Sequence, residues 1–353
     1  MPTLTAPAIH LPPDDSGRRG TRRVTSYDVA NVAGVSQSAV SRCFKPGASV
    51  SKATYQRVMQ AARELDYIPN AAARSLCTRR SNLVAVILWE QAILSHPGIV
   101  TELTQQFARR GMRAVLFTLA SEADIDGTLA ALWQHQVDGA IVAARLGEAH
   151  IAEFTRRALP FLLFNRPAGH EVNAVACDHY AAARTLAARL ASAGHKRFAL
   201  VSGPADSSVA QERLRGVCER LAELGLPRPL VVAGNFDYAS GARAMREIRA
   251  RSEALPDVVV CTNDMMAIGC IDTARTEFGL SVPCDLSVTG FDGSASSGWL
   301  SYNLTTMRLP IAEMALAAAE MFAGLMAGGA APQQRLFSPV VVDGTTARLG
   351  PAA

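Results

Sequence analysis

A few polar side chains stand where an α/β protein offers its chemistry. Asn263 and Asp264 follow the apolar run Val258–Cys261, Asp292 follows Val288–Phe291, and Arg213 lies on the helix after Ser202-Gly203-Pro204. Parallel sheets bind ligands at the carboxyl ends of their strands. An amide, a carboxylate and a guanidinium converging there match the hydrogen-bonding needs of a polyhydroxylated ligand. The same residues also suit helix caps and surface ion pairs, so spacing leaves both readings open. Enzymatic signatures are missing: there is no GxGxxG after a strand, no GxxxxGK[ST], no GxSxG and no HExxH. The seven histidines (10, 96, 135, 150, 170, 179, 195) stand singly rather than at metal-ligand spacing. The seven cysteines never form CxxC, which predicts reduced thiols rather than a disulfide framework or zinc site. No cofactor, no metal and no catalytic residue is expected.

Positioning those side chains requires strands and helices in alternation, and the chain supplies them from residue 82 onward. Apolar runs at Leu83–Leu88, Ala114–Leu119, Ala140–Ala143 and Phe161–Phe164 alternate with amphipathic segments such as Val100–Arg110. The rhythm resumes at Arg197–Ser202, Leu230–Ala233, Val258–Cys261 and Leu286–Gly290. Continuously apolar strands separated by helices indicate parallel sheets covered on both faces. Two such halves follow one another, with a break near 177–181 and a return crossing near Met307–Pro310.

The first 80 residues have a different texture. They hold 12 Lys/Arg against 5 Asp/Glu, so a basic head precedes a body of net charge −3. Such asymmetry points the head, and only the head, at a polyanion. Residues 1–23 show no periodicity and are expected to be disordered. Thr25 with Asp28 forms a capping-box pattern, Gly34 allows a tight turn, and Ser36 caps a second short helix containing Val40. Two short helices joined by a glycine turn mark a helix-turn-helix. Ser51 caps a third helix with Val58, Ala61, Ala62 and Leu65 on one side. No apolar run is long enough for a membrane span, and the charged, proline-bearing N-terminus lacks a secretory signal. A cytoplasmic location is expected.

Taken in order, these residues resemble the LacI/GalR family of transcriptional regulators. The likeness runs through Val24-Thr25-Ser26-Tyr27-Asp28-Val29-Ala30, Gly34-Val35-Ser36, Val40-Ser41-Arg42, Val50-Ser51 and Tyr67-Ile68-Pro69-Asn70. It continues in Phe164-Asn165-Arg166, Gly194-His195, Arg213-Leu214-Arg215-Gly216, Asn263-Asp264, Gly290-Phe291-Asp292 and Leu304-Thr305-Thr306. The resemblance implies an all-α helix-turn-helix head joined by a hinge helix to an α/β body. That body is periplasmic-binding-protein-like, with two doubly wound parallel-sheet subdomains. The implied limits are a tail at 1–23, the head at 24–69, a hinge helix and linker at 70–81, and an effector-binding, dimerising body at 82–353. Within the body, one subdomain takes about 82–179 and 309–337, the other about 180–308 and 338–348.

The resemblance also assigns roles. Gln37 and Ser38 stand where the family reads base edges, and Arg42 matches its base- or phosphate-contacting arginine. Thr25, Tyr27, Ser36, Ser41 and Asn70 fall at positions that contact the phosphate backbone or brace the fold. Ala73 lies in the hinge match, and Leu76 matches the leucine wedged into the minor groove. Arg213, Asn263 and Asp292 match the effector-binding arginine, amide and carboxylate, and Phe236 an aromatic that stacks on a sugar or base ring. The family's element after the first body strand is replaced by Glu90-Gln91-Ala92-Ile93-Leu94-Ser95-His96-Pro97, where His96 and Trp89 are the candidate contacts. No leucine heptads follow Arg348, so a homodimer is expected. The implied function is a ligand-responsive repressor of a metabolic operon. It binds a palindromic site on double-stranded DNA under the control of a sugar-like effector.

Overall fold

The computed structural model describes residues 24–45, 47–69, 80–166, 172–328 and 331–351. The chain divides into two units, Met1–Ser81 and Asn82–Ala353.

In the first unit, three helices share one small core: α1 (Ser26–Ala33), α2 (Gln37–Cys43) and α3 (Lys52–Glu64). The Asp28 carboxylate accepts from the Thr25 backbone N–H at 2.8 Å and from its hydroxyl at 2.7 Å, so the expected reach-back is made. Gly34, with φ +61°, ends α1 in the left-handed region, a conformation that favours glycine. The Ser36 hydroxyl then accepts from Ala39 N–H and opens α2. Val29, Val40 and Val58 are fully buried where the helices meet, with Ala30, Ala33, Ala61 and Ala62 around them. Phe44 and Tyr67 close the core edge to face, 5.7 Å apart.

The second unit contains two six-stranded sheets. One has the order β11-β5-β4-β3-β1-β2 and the other β12-β10-β9-β8-β6-β7. The first is built from β1 (Leu83–Trp89), β2 (Arg113–Leu119), β3 (Gly139–Val142), β4 (Phe161–Phe164), β5 (Ala174–Cys177) and β11 (Gln334–Phe337). The second is built from β6 (Phe198–Ser202), β7 (Leu230–Ala233), β8 (Val258–Cys261), β9 (Ser287–Asp292), β10 (Thr305–Arg308) and β12 (Val340–Val342). Every pairing is parallel except β10 with β12. The chain therefore passes between the sheets three times: after Cys177, after Arg308 and after Phe337. The strand from Ser287 runs two residues past the predicted end at Gly290, which makes Asp292 its last member.

Helices cover both sheets, and two glycines set the closest helix contact. A Cβ at Gly241 would lie 2.2 Å from the Met266 carbonyl oxygen, and one at Gly269 would lie 2.2 Å from that of Tyr238. The helices Tyr238–Arg251 and Asp264–Thr276 can thus approach backbone to backbone. Their N-termini follow Phe236 and Asn263, so the close contact fixes two candidate site residues. The six described cysteines, 43, 177, 218, 261, 270 and 284, are all free thiols. Among the described residues, no helix is long and apolar enough to cross a membrane.

Candidate ligand cleft and nucleic-acid face

The five side chains expected at a ligand site, His96, Arg213, Phe236, Asn263 and Asp292, all line one cavity between the two lobes of the body. It encloses about 60 Å³, with Trp89, Asn165, Arg166 and Leu309 completing much of its wall. Ligand pockets usually offer about 300–1,000 Å³. The cavity as it stands is small for a sugar-sized ligand.

Each side chain is placed by a specific local device. Arg213, buried on α9 (Ser208–Glu223), donates through one terminal nitrogen to the Thr262 carbonyl at 2.6 Å. Its other terminal nitrogen meets Asp292 Oδ1 at 2.8 Å. The guanidinium lies 4.0 Å over the Phe291 ring, a cation–π contact. Asp292 has φ +123° and is followed by Gly293 at +67°, so a strained turn aims the carboxylate into the cleft. Phe236 sits at φ +61°, an outlier for a bulky residue, and its carbonyl accepts from the Asn263 amide at 2.8 Å. A Cβ at Gly203 would lie 2.4 Å from the Phe236 ring, so the glycine leaves room for it. The other end of the Asn263 amide accepts from Met266 N–H and caps α11 (Asp264–Thr276). The cap reading and the site reading thus hold together for one residue.

The opposite wall carries polar atoms that lack partners among the described residues. Trp89 Nε1 and both ring nitrogens of His96 are buried without a hydrogen-bond partner. Such atoms cost about 1–3 kcal/mol each unless a ligand or water satisfies them. Trp89 ends β1, and His96 directly follows the short helix α4 (Glu90–Ser95).

Sequence reasoning missed several residues here. Asn165 and Arg166 follow β4 directly, at the carboxyl end of a strand, so the rule that found Asp292 also applied to them. Asp264 is a candidate alongside Asn263 after Val258–Cys261, and its surroundings are what the sequence does not signal. Its carboxylate is buried beneath Asp292 and accepts from Ser294 N–H at 2.7 Å and from the Thr306 hydroxyl at 2.5 Å. Burial, then the nearby Asp292 charge, pushes it up to about 7. The native state then holds a proton that the unfolded chain, with Asp near 3.9, releases. Asp264 therefore makes stability fall as pH rises from about 4 to about 7, and adds no further slope above that. Between pH 5.5 and pH 7 an Asp264→Asn variant should gain about 2 kcal/mol relative to wild type. Urea unfolding of both proteins at the two pH values checks this, and a constant difference would show an ordinary carboxylate.

In the head, Ser38, Ser41 and Arg42 are exposed at spacing i, i+3 and i+4, opposite buried Val40. Tyr27 and Ser36 are exposed beside them. Gln37 is half-buried, and its amide donates to Ser26 Oγ at 3.1 Å. Thr25 is half-buried and engaged by Asp28. The structure thus brings together a polar, cation-bearing face on α2, the geometry of a helix that enters a DNA groove. Asn70, Ala73 and Leu76 lie outside the described residues.

Known proteins carry both parts. Residues 25–70 match the lacI family of bacterial regulatory proteins, and residues 187–347 a periplasmic binding protein-like domain. The HTH-type transcriptional regulator CelR of Thermobifida fusca is 33% identical over 300 residues, 82% of this chain and 88% of that protein. A Lac repressor dimer bound to operator and the anti-inducer ONPF superposes with a TM-score of 0.82. It is 26% identical and covers 92% of this chain and 99% of that one. A CelR–cellobiose complex superposes at 0.67 with 29% identity, covering 92% of this chain and all of the other.

Proposed function

This chain belongs to the LacI family of bacterial regulatory proteins, and from that membership we propose that it is a dimeric repressor of a metabolic operon, released or recruited by a small sugar in the body cleft. The observation that carries the reading is the convergence of Arg213, Phe236, Asn263, Asp292 and His96 on one cavity whose far wall holds unsatisfied polar atoms. Carboxylate, amide and guanidinium on one side, with indole and imidazole on the other, suit a hydroxyl-rich ring with an apolar face. The CelR complex holds cellobiose, which makes that disaccharide the first ligand to try.

The head reads DNA through Gln37, Ser38 and Arg42, with Thr25, Tyr27, Ser36 and Ser41 on phosphates. Phosphate contacts supply affinity and base contacts discrimination. In residues 70–81, Asn70, Ala73 and Leu76 form the hinge, and Leu76 acts as the minor-groove wedge. Two heads on a dimer address a palindrome. Ligand-driven change of lobe angle alters the spacing of the hinges, with a coupling of about 1–3 kcal/mol. The protein works in the cytoplasm, where its operator is.

A gel shift against the chain's own upstream region at about 0.15 M salt tests this, with and without a mono- and disaccharide panel led by cellobiose. A specific band whose strength changes with one sugar is expected. Arg42→Ala should weaken that band by about 1–3 kcal/mol and leave binding to unrelated DNA nearly as it was. No specific band under any condition overturns the repressor reading.

A further inference from the structure

We propose that His179 is a positioning residue for effector binding: its neutral imidazole orients the Arg213 guanidinium and ties it to the opposite lobe through Asn165. The inference rests on the reading of the cleft as an effector site. His179 opens α8 (His179–Ser192), directly after the chain has left the first sheet, and is buried. Its Nε2 lies 2.8 Å from Asn165 Oδ1. Its Nδ1 lies 3.3 Å from both Nε and a terminal nitrogen of Arg213. Arginine has only donors, so Nδ1 must carry the lone pair and Nε2 the proton. One tautomer satisfies both neighbours.

A second proton would remove the imidazole acceptor that faces Arg213 and set two cations together. Burial, then the charges of Arg213 and Arg166, hold the imidazole well below the ordinary histidine range. The charged groups around it are Arg213 on α9, Arg166 and the Asn165 carbonyl partner of its guanidinium after β4, Asp292 on β9, and Asp178 just before it. Phe291 closes the remaining side, with ring centroids 6.0 Å apart.

This bonding has a direction. Thr262, Asp292 and the Phe291 face all hold Arg213 from its own lobe. The link Asn165–His179 is different, because Asn165 belongs to the other lobe, at φ +52° at the end of β4. The bond spans the crossover that follows β5. Effector contact at Arg213 and the other lobe are therefore joined through one imidazole.

Two amide substitutions separate the two bonds. An asparagine at 179 can place its oxygen near the position of Nδ1, and a glutamine can place its amide nitrogen near that of Nε2. His179→Asn should keep the acceptor for Arg213 and lose the tie to Asn165. His179→Gln should do the reverse. With the sugar that most raises the melting temperature in the panel, cellobiose being tried first, calorimetry should show His179→Gln weakened at least about tenfold, the loss expected of one charge-assisted contact. His179→Asn should stay within about threefold in affinity, well under the tenfold that one such contact is worth, yet show a reduced sugar effect on operator binding. A purely structural histidine would lower the melting temperature of both variants and leave affinity unchanged in both.

A ligand-free measurement decides the same point. In wild type the Arg213 Nε–H should give a slowly exchanging NMR signal, kept in His179→Asn and lost in His179→Gln. The His179 ring should stay neutral through the range near 6.5 in which an exposed histidine takes up its proton. A His179 that titrates near 6.5, or an Arg213 signal and affinity unchanged in His179→Gln, overturns the proposal. If no sugar binds wild type, the sugar reading fails, while the Arg213 signal still decides the role of His179.

Discussion

Replacing Arg213 by methionine is expected to abolish the response to sugar while leaving operator binding in place. The methionine keeps much of the volume and removes every donor. Effector affinity should fall about 100-fold or more, as two or more charge-assisted bonds are lost. Asp292 is buried and pairs with Arg213 at 2.8 Å, so the single change leaves an uncompensated carboxylate. That costs about 3–5 kcal/mol of stability on its own. The double variant Arg213→Met, Asp292→Asn separates the two effects. Asparagine has the size and shape of the aspartate already held there and needs no counter-charge. The double variant should recover most of the lost stability and none of the lost affinity. Calorimetry with the sugar and urea unfolding give the two readings. A gel shift should show the same operator band with and without sugar. If the double variant regains sugar affinity, Arg213 is a structural partner of Asp292 and nothing more.

Asn263 and Asp292 are legible in the sequence because each follows an apolar run long enough to be a strand, and strand ends are where parallel sheets expose polar groups; Arg213 is legible on the helix after such a run. The same logic applied to Asn165 and Arg166 after Phe161–Phe164, and there the signal was present but unused. His179 was not legible. Its imidazole matters through Arg213, 34 residues away in the chain, and through Asn165 in the other lobe. No local spacing encodes either contact. Asp264 hid for a related reason: its raised affinity for a proton comes from burial under the loop at Ser294 and from Asp292, both set by tertiary packing. The backbone strain at Phe236 and Asp292 was equally out of reach, because nothing local in an aromatic or acidic residue requests a positive φ. In the head the reverse holds. Thr25, Asp28, Gly34 and Ser36 each bond to partners within four residues, so propensity and capping rules place them almost completely.

The second large effect is expected at an exposed apolar patch on the body, tested as a contact between two copies. Trp299 and Leu300 are exposed, Leu300 fully, and Tyr238 is 42% exposed near them. The hydroxyls of Tyr238 and Tyr302 both donate to Asp272, at 3.0 and 2.9 Å, which gathers the three aromatic residues into one patch. Backbone bonds from Tyr302 and Asn303 to the Trp299 carbonyl, both 2.8 Å, hold Leu300 at the tip of a closed turn. Leu300 and Trp299 together leave an apolar patch in water, a surface that a second copy could cover. Leu300→Glu should therefore halve the mass measured in sedimentation. Two half-sites then cease to be read by one molecule, and operator affinity should fall by about 10²–10⁴, the avidity of a linked pair. Sugar binding should persist, since Leu300 does not line the cleft. A Leu300→Glu protein that stays dimeric would remove this patch from the interface. A monomer that keeps full operator affinity would instead show that one head is enough. The patch and the cleft also share a segment: Asp292 ends β9, and Trp299–Tyr302 follows within ten residues.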